Sequence, residues 1–182
     1  MTRRGDWIQT FSGRKFWPLD PRPEDVDILD IAAALSKQCR FGGHCQQHYS
    51  VAEHSVRVAA LVQNLYALLH DAHEAYLVDV PTPIKRNLAG YERMAARVQA
   101  TIHERFGLDE MLPAQASAIH KADRILLITE ERDLMAMQPH QPPGWPEPLR
   151  DPIVPWAIET ARVAFIRWFE EFDIRRTSGR RK

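Results

Sequence analysis

The sequence predicts an all-α fold, a helical bundle of about six helices with a small hairpin or arm at its N-terminal end. Apolar residues recur at helical spacing along most of the chain, proline and glycine fall between these stretches, and looser alternation is confined to residues 7–17. At 182 residues and 45% apolar content the chain can close one sizeable core, so a single domain over 1–182 is expected, with the motif-bearing part at 7–135.

The elements follow in order. WIQTFSGRKFW, residues 7–17, turns around Ser12-Gly13 and suits a hairpin. Val26, Ile28, Ile31, Ala32 and Leu35 line one face of a first helix ending near Lys37. The glycine pair in CRFGGHCQQHY predicts a loop over 39–49, after which Ser50 and Glu53 resemble a capping box opening a helix through Val62. LYALLHDAHEAYLV reads as one further helix, closed by Pro81 and Pro83. Helices are expected again from Tyr91 to Phe106, with Gly107 as the C-terminal cap, and from Pro113 to Met137. Seven prolines between 138 and 155 predict an irregular surface loop. A last helix over 156–172 places Trp156, Val163, Ile166 and Phe169 near one face, and the basic tail 175–182 is expected to be disordered.

Composition narrows the function. Lysine plus arginine equals aspartate plus glutamate at 24 each, so no global field favours nucleic acid or an anionic membrane, and an anion site must be local. Cys39 and Cys45 match no common zinc or redox spacing and form no disulfide framework, which with the lack of a signal or spanning segment predicts a reduced, cytoplasmic setting.

The chemistry concentrates in YALLHDAHEAYLVDVPTPIK, residues 66–85. His70 and Asp71 can reach one point from either side of a helix line, and a metal ion is such a point. A His-Asp dipeptide alone is an ordinary polar patch. Here, however, His54 lies on the preceding helix and Asp123 sits in the apolar run AIHKADRILLIT, where an unpaired carboxylate would cost at least a few kcal/mol. Two imidazoles and two carboxylates suit Mn²⁺, Co²⁺, Fe²⁺, Ni²⁺ or Zn²⁺ better than Ca²⁺, with Mg²⁺ also accommodated through water. HDAHE does not have the histidine and glutamate order of the zinc-protease motifs.

The order of His54, His70-Asp71 and Asp123 resembles the HD-domain phosphohydrolases, an all-α superfamily. YSVAEHS, LLHDAHEAYLVDVPTPIK and HKADRILL are similar to the subgroup with bacterial 5′-deoxynucleotidases, and DILDIAAALSKQCRFGGH is similar to phage-type relatives that hydrolyse deoxyadenosine triphosphate. The resemblance implies His54, His70, Asp71 and Asp123 as metal ligands, Glu74 and Asp79 as catalytic carboxylates, and Arg40-Phe41 as substrate contacts, Phe41 standing where relatives often have tryptophan. Lys85, at the end of PTPIK, and His44, beside Gly42-Gly43, are further candidates for contact with phosphate or base. It also implies a small-molecule deoxynucleotide substrate, either a monophosphate or a triphosphate, and a homo-oligomer, dimer or hexamer. The competing expectation is a metal-bound nucleotide-sensing module without turnover.

Overall fold

A computed structural model of the chain describes residues 2–137 and 143–179. Among these are eight α-helices and one two-stranded hairpin. Strands β1 (Ile8–Gln9) and β2 (Lys15–Phe16) pair antiparallel, with Ile8 opposite Phe16, around a turn at Gly13 whose φ of +84° only glycine adopts without strain. The turn is pinned to the first helix, because the buried Asp30 carboxylate accepts both the Ser12 N–H (2.6 Å) and its hydroxyl (2.9 Å).

Helix α1 (Ile28–Lys37) starts where the Asp27 side chain accepts the Leu29 N–H at 2.9 Å. Helix α2 (Val51–Val62) starts where the Ser50 hydroxyl accepts the Glu53 N–H at 3.1 Å. Only half of the expected capping box forms. The Glu53 side chain turns instead to Arg57 and to the Trp156 N–H at 2.8 Å, which ties the last helix to the second. Helix α2 is buried through its first two turns and packs against α1, so it forms the axis of the bundle.

The single helix expected over 65–78 is instead two short ones, α3 (Leu65–Leu68) and α4 (Glu74–Leu77). The Asn64 side chain caps α3 at the Ala67 N–H, and then the chain tightens: Ala72 bonds back to Leu69 and Glu74 to Asp71, three residues each, not four. The Ala67 carbonyl accepts from the His70 ring. The side chains of His70 and Asp71 thus leave from a tight turn.

PTPIK likewise forms a one-turn helix, α5 (Thr82–Lys85), where a simple stop was expected. Helix α6 (Tyr91–Arg105) ends at Gly107, which has φ +60°. Helix α7 (Pro113–Leu134) packs along α2. The expected extension of α7 to Met137 is not helical. Of the proline-rich stretch, 138–142 lies outside the described residues, and the remainder is irregular but not wholly superficial, since Ile153 is buried and its N–H donates to Asp133.

Helix α8 (Ile158–Gly179) corrects two expectations. Trp156 precedes it, and the core side is Ala161, Phe165 and Phe172, while Val163 is exposed. The helix also continues through the basic stretch to Gly179, where Arg176 bonds Asp173 at 2.7 Å and the Gly107 carbonyl at 2.8 Å; residues 180–182 lie outside the described residues. Among the described residues no helix is long and apolar enough to cross a membrane.

The arm belongs to the core. Phe16 is fully buried and its ring stacks on Tyr76 of α4 at 3.7 Å between centroids, directly behind the helix that begins with Glu74. Phe16→Ala is expected to cost about 3–5 kcal/mol, read as a lowered urea midpoint at unchanged slope. A loss below about 1 kcal/mol would mean that the arm merely rests on the bundle.

Candidate metal centre

Helix α2 carries His54 into the middle of the bundle, where it has no exposed surface. Its Nδ1 lies 2.6 Å from Oε1 of Glu130, also fully buried, two turns beyond Asp123 on α7. An ionised carboxylate only accepts, so His54 donates from Nδ1 and presents the bare Nε2 on the other side. His70 reaches the same condition by another route. Its Nδ1 lies 2.8 Å from the Ala67 carbonyl, which can only accept, and its Nε2 is left bare as well.

Both Nε2 atoms are buried and without a hydrogen-bond partner. They converge on carboxylates. Asp71 Oδ2 lies 3.1 Å from His70 Nε2 and 3.8 Å from His54 Nε2, and Asp123 Oδ1 lies 3.1 Å from His54 Nε2. The donor atoms of His54, His70 and Asp71 all fall within 4.8 Å of one another. Two donors on one transition-metal ion, each about 2.1 Å from it and at right angles, stand about 3 Å apart. The spacing and the two orphaned imidazole nitrogens therefore fit a divalent cation, and this His/His/Asp group can hold one.

The electrostatics suit a positive charge at this point. Burial would raise the Asp71 carboxyl, but His70, His54 and Arg40 hold it well below the usual carboxylate range. Asp123 is lowered against burial by the His54 ring beside it and by His70. Burial and Arg40 oppose a charged His54, yet Glu130 and Asp123 outweigh both and lift it to about 9. The pocket thus draws a cation to Nε2, and a metal would take the proton's place.

Beside the donors opens a cavity of about 390 Å³ whose walls include Arg40, Phe41, Glu74, Asp79, Lys85 and the two site aspartates. Glu74 is 2% exposed, and its Oε1 accepts from Lys85 Nζ at 2.7 Å while Oε2 has no partner. Burial, then Asp71 and Asp79, push the Glu74 carboxyl up to about 8 against the pull of Lys85. Lys85 is raised by Glu74 against burial and stays a cation. Arg40 donates from its Nε to Glu130 Oε2 at 3.0 Å and holds Nη1 3.9 Å from Asp71 Oδ2, remaining charged with Phe41 beside it.

Two residues that the sequence did not point to organise this wall. Glu130 holds His54 with one oxygen and Arg40 with the other. Gln38, just past α1, donates to the Glu74 carbonyl at 2.9 Å and accepts the Asp79 N–H at 2.9 Å, so one amide spans both ends of the turn between the two carboxylates. Inside that turn Val78 has φ +61° and ψ 158°, a region that a β-branched residue enters only at a cost of roughly 1–3 kcal/mol. Gln38 is the clamp that keeps it there.

The remaining candidates separate. His44 is exposed and is not on the cavity wall. His48 is exposed too, and His73 is bonded to Gln99 at 3.2 Å and lowered by burial. Cys39 and Cys45 are free thiols 3.4 Å apart that do not line the cavity, and burial pushes Cys45 up to about 11.

No protein-family model matches the chain. It is similar to "Uncharacterized protein YfdR" of Escherichia coli K12, 44% identical over 131 residues that span 70% of this chain and 72% of the relative. It is also similar to "Uncharacterized protein RCAP_rcc00048" of Rhodobacter capsulatus, 41% identical over 133 residues, 65% of this chain and 68% of that one. The chain belongs to the family of these two proteins. Within this YfdR family, the His/His/Asp group and its cavity are what the chain offers toward a function.

Two outcomes are expected. Glu130→Ala should weaken Mn²⁺ or Co²⁺ binding by about 10–100-fold, measured by titration calorimetry, because His54 loses the partner that sets its tautomer; unchanged affinity would show that Glu130 only braces the core. In metal-free protein, Glu74 keeps its proton in the fold up to about 8 but loses it near 4.5 when unfolded. Stability from this group is therefore present at low pH and lost as pH rises through that window. Thermal melts of wild type and Glu74→Gln should diverge from pH 5 to 8, by at most about 1.4 kcal/mol per pH unit, with wild type falling behind. Parallel curves would show that Glu74 titrates normally.

Proposed function

We propose that this chain is a divalent-metal-dependent phosphohydrolase of the HD-domain type, acting on deoxynucleotides. The observation that supports this best is the pair of buried, unpartnered Nε2 atoms of His54 and His70 facing Asp71, at the end of a cavity that also holds two further acids and two cations. His54, His70, Asp71 and Asp123 are the proposed ligands. Mn²⁺, Co²⁺, Fe²⁺, Ni²⁺ or Zn²⁺ suit this donor set, and Mg²⁺ through water.

The ion, when bound, supplies Lewis acidity toward a phosphoryl oxygen and acidifies water. Glu74, titrating near 8, sits where it can take up a proton from the attacking water and give it back at neutral pH. Asp79, at the far end of the Gln38 clamp, is proposed to serve the departing oxygen. Arg40 and Lys85 supply fixed positive charge for the negative charge that spreads over the phosphoryl oxygens. Phe41 offers an apolar surface for sugar or base. The reading covers both removal of phosphate from a monophosphate and cleavage of a triphosphate, since the cavity walls are compatible with either. It places the protein in the cytoplasm and includes a homo-oligomer, dimer or hexamer, resting on the exposed Trp7 and Phe11 of the arm.

A metal-bound sensing module would have no use for a buried acid held at about 8 next to a cation. A panel of deoxynucleoside mono- and triphosphates with added Mn²⁺ or Co²⁺, products separated by chromatography, decides the matter. Release of phosphate or triphosphate is expected, abolished by EDTA and reduced at least about a hundredfold in Asp71→Ala, since even outer partners of metal ligands cost 10–100-fold. Equal release by wild type and Asp71→Ala, or none from any substrate, removes the proposal.

A further inference from the structure

A second and larger cavity, about 550 Å³, opens between the N-terminal arm and the start of α6. It shares no wall residue with the candidate metal centre's cavity. Its floor is apolar, with Leu19 and Leu88 still 45% and 44% exposed and Met94 beside them. Its rim is positive: Arg4 comes from the arm, and Arg93 and Arg97 from successive turns of α6.

No acidic residue lines it. Arg97 is partly engaged, donating to the Leu19 carbonyl at 3.1 Å and standing 3.5 Å from Asp20. Among the described residues the guanidinium groups of Arg4 and Arg93 have no hydrogen-bond or ion-pair partner. An adjoining recess shares Leu88, Gly90 and Arg93 with this cavity and adds Lys85 and Arg86 against a single Glu92. In a chain of zero net charge, positive charge is gathered here locally.

We propose that this cavity is a second ligand site, and that its occupant is a small organic anion with a flat apolar body. The chemistry decides the class. Inorganic phosphate would leave the Leu19, Leu88 and Met94 floor bare, and a neutral aromatic would gain nothing from the exposed Arg4 and Arg93 guanidinium groups at the rim. An anionic group on a one- or two-ring body satisfies both, and a cavity of this size suits such a molecule. The charged end lies between Arg93 and Arg4, where a planar oxyanion can take two donors from one guanidinium. The ring lies on the leucines. The site stands independently of the hydrolase reading.

The probe is 1-naphthalenesulfonate, which no phosphatase cleaves, titrated by fluorescence and calorimetry into the full chain in EDTA, with 1-naphthol and inorganic phosphate in parallel. Saturation at one sulfonate per chain is expected, with both comparison compounds binding at least about tenfold more weakly. Arg93→Ala with Arg97→Ala should weaken the sulfonate at least about tenfold, and Asp71→Ala should leave its affinity unchanged. Because Arg97 touches Leu19, the single Arg93→Glu variant, which breaks no contact, is measured as well, with circular dichroism to confirm the fold. Any of four results overturns the proposal: equal binding of 1-naphthol, no saturation, no effect of either arginine variant, or loss of binding in Asp71→Ala. Sedimentation gives a fifth, since a wild-type dimer that Arg93→Glu converts to monomer would assign the cavity to a second copy of this chain.

Discussion

The candidate site depends on one buried bridge. Glu130 sits in the interior with no exposed surface, between the His54 ring on α2 and the Arg40 guanidinium on the preceding loop. A lone buried carboxylate is costly to desolvate by several kcal/mol, so it persists only where both oxygens are matched. Here each oxygen has one partner, and burial's upward push on the carboxyl is overcome by Arg40 and His54. The arrangement sets the facing register of α2 and α7, because a one-residue slip of either helix would strand the charge. It also chooses the His54 tautomer and restricts Arg40 at the mouth of the cavity.

The other constraints are local and all feed the same space. The tight turn after α3 lets the Ala67 carbonyl hold the His70 ring. Gln38 holds the strained turn at Val78 between Glu74 and Asp79. The Phe16 and Tyr76 stack supports α4 from behind, so the arm contributes to the wall although none of its residues lines that cavity. Strain and unpaired polar atoms are both present here: Phe41 and Val78 have positive φ, as Gln63 does at the end of α2, and the orphaned atoms of His54, His70 and Glu74 stand beside those of Tyr49, Ser55 and Tyr76 elsewhere in the core. At the candidate site these costs keep the turn at Val78 and the bare imidazole nitrogens in place.

Lys85 illustrates how position and partner divide a role. As the end of PTPIK it reads as a free cation reaching for phosphate. In the fold it is bound to Glu74, 2.7 Å away, and each changes the other: the carboxyl is harder to ionise by burial than Lys85 can reverse, and the ammonium is held charged by the carboxylate. An incoming anion would compete for Lys85 and favour the protonated acid.

The sequence by itself determined the helical class, the hairpin at Gly13, the α1, α6 and α7 segments, and the grouping of His54, His70 and Asp71, whose ligand atoms lie within 4.8 Å of one another, with Asp123 3.1 Å from His54. Those features are local: periodicity, caps and short motif words stay close in the chain. Only the tertiary structure decided that LYALLHDAHEAYLV breaks in two, that α8 runs on through its basic end, and that Val163 faces outward. It alone revealed Glu130 and Gln38, because a glutamate in TEERD and a glutamine after a lysine look solvated until a distant element covers them. Burial and pairing are properties of contacts between residues far apart in sequence, and no window along the chain contains both partners.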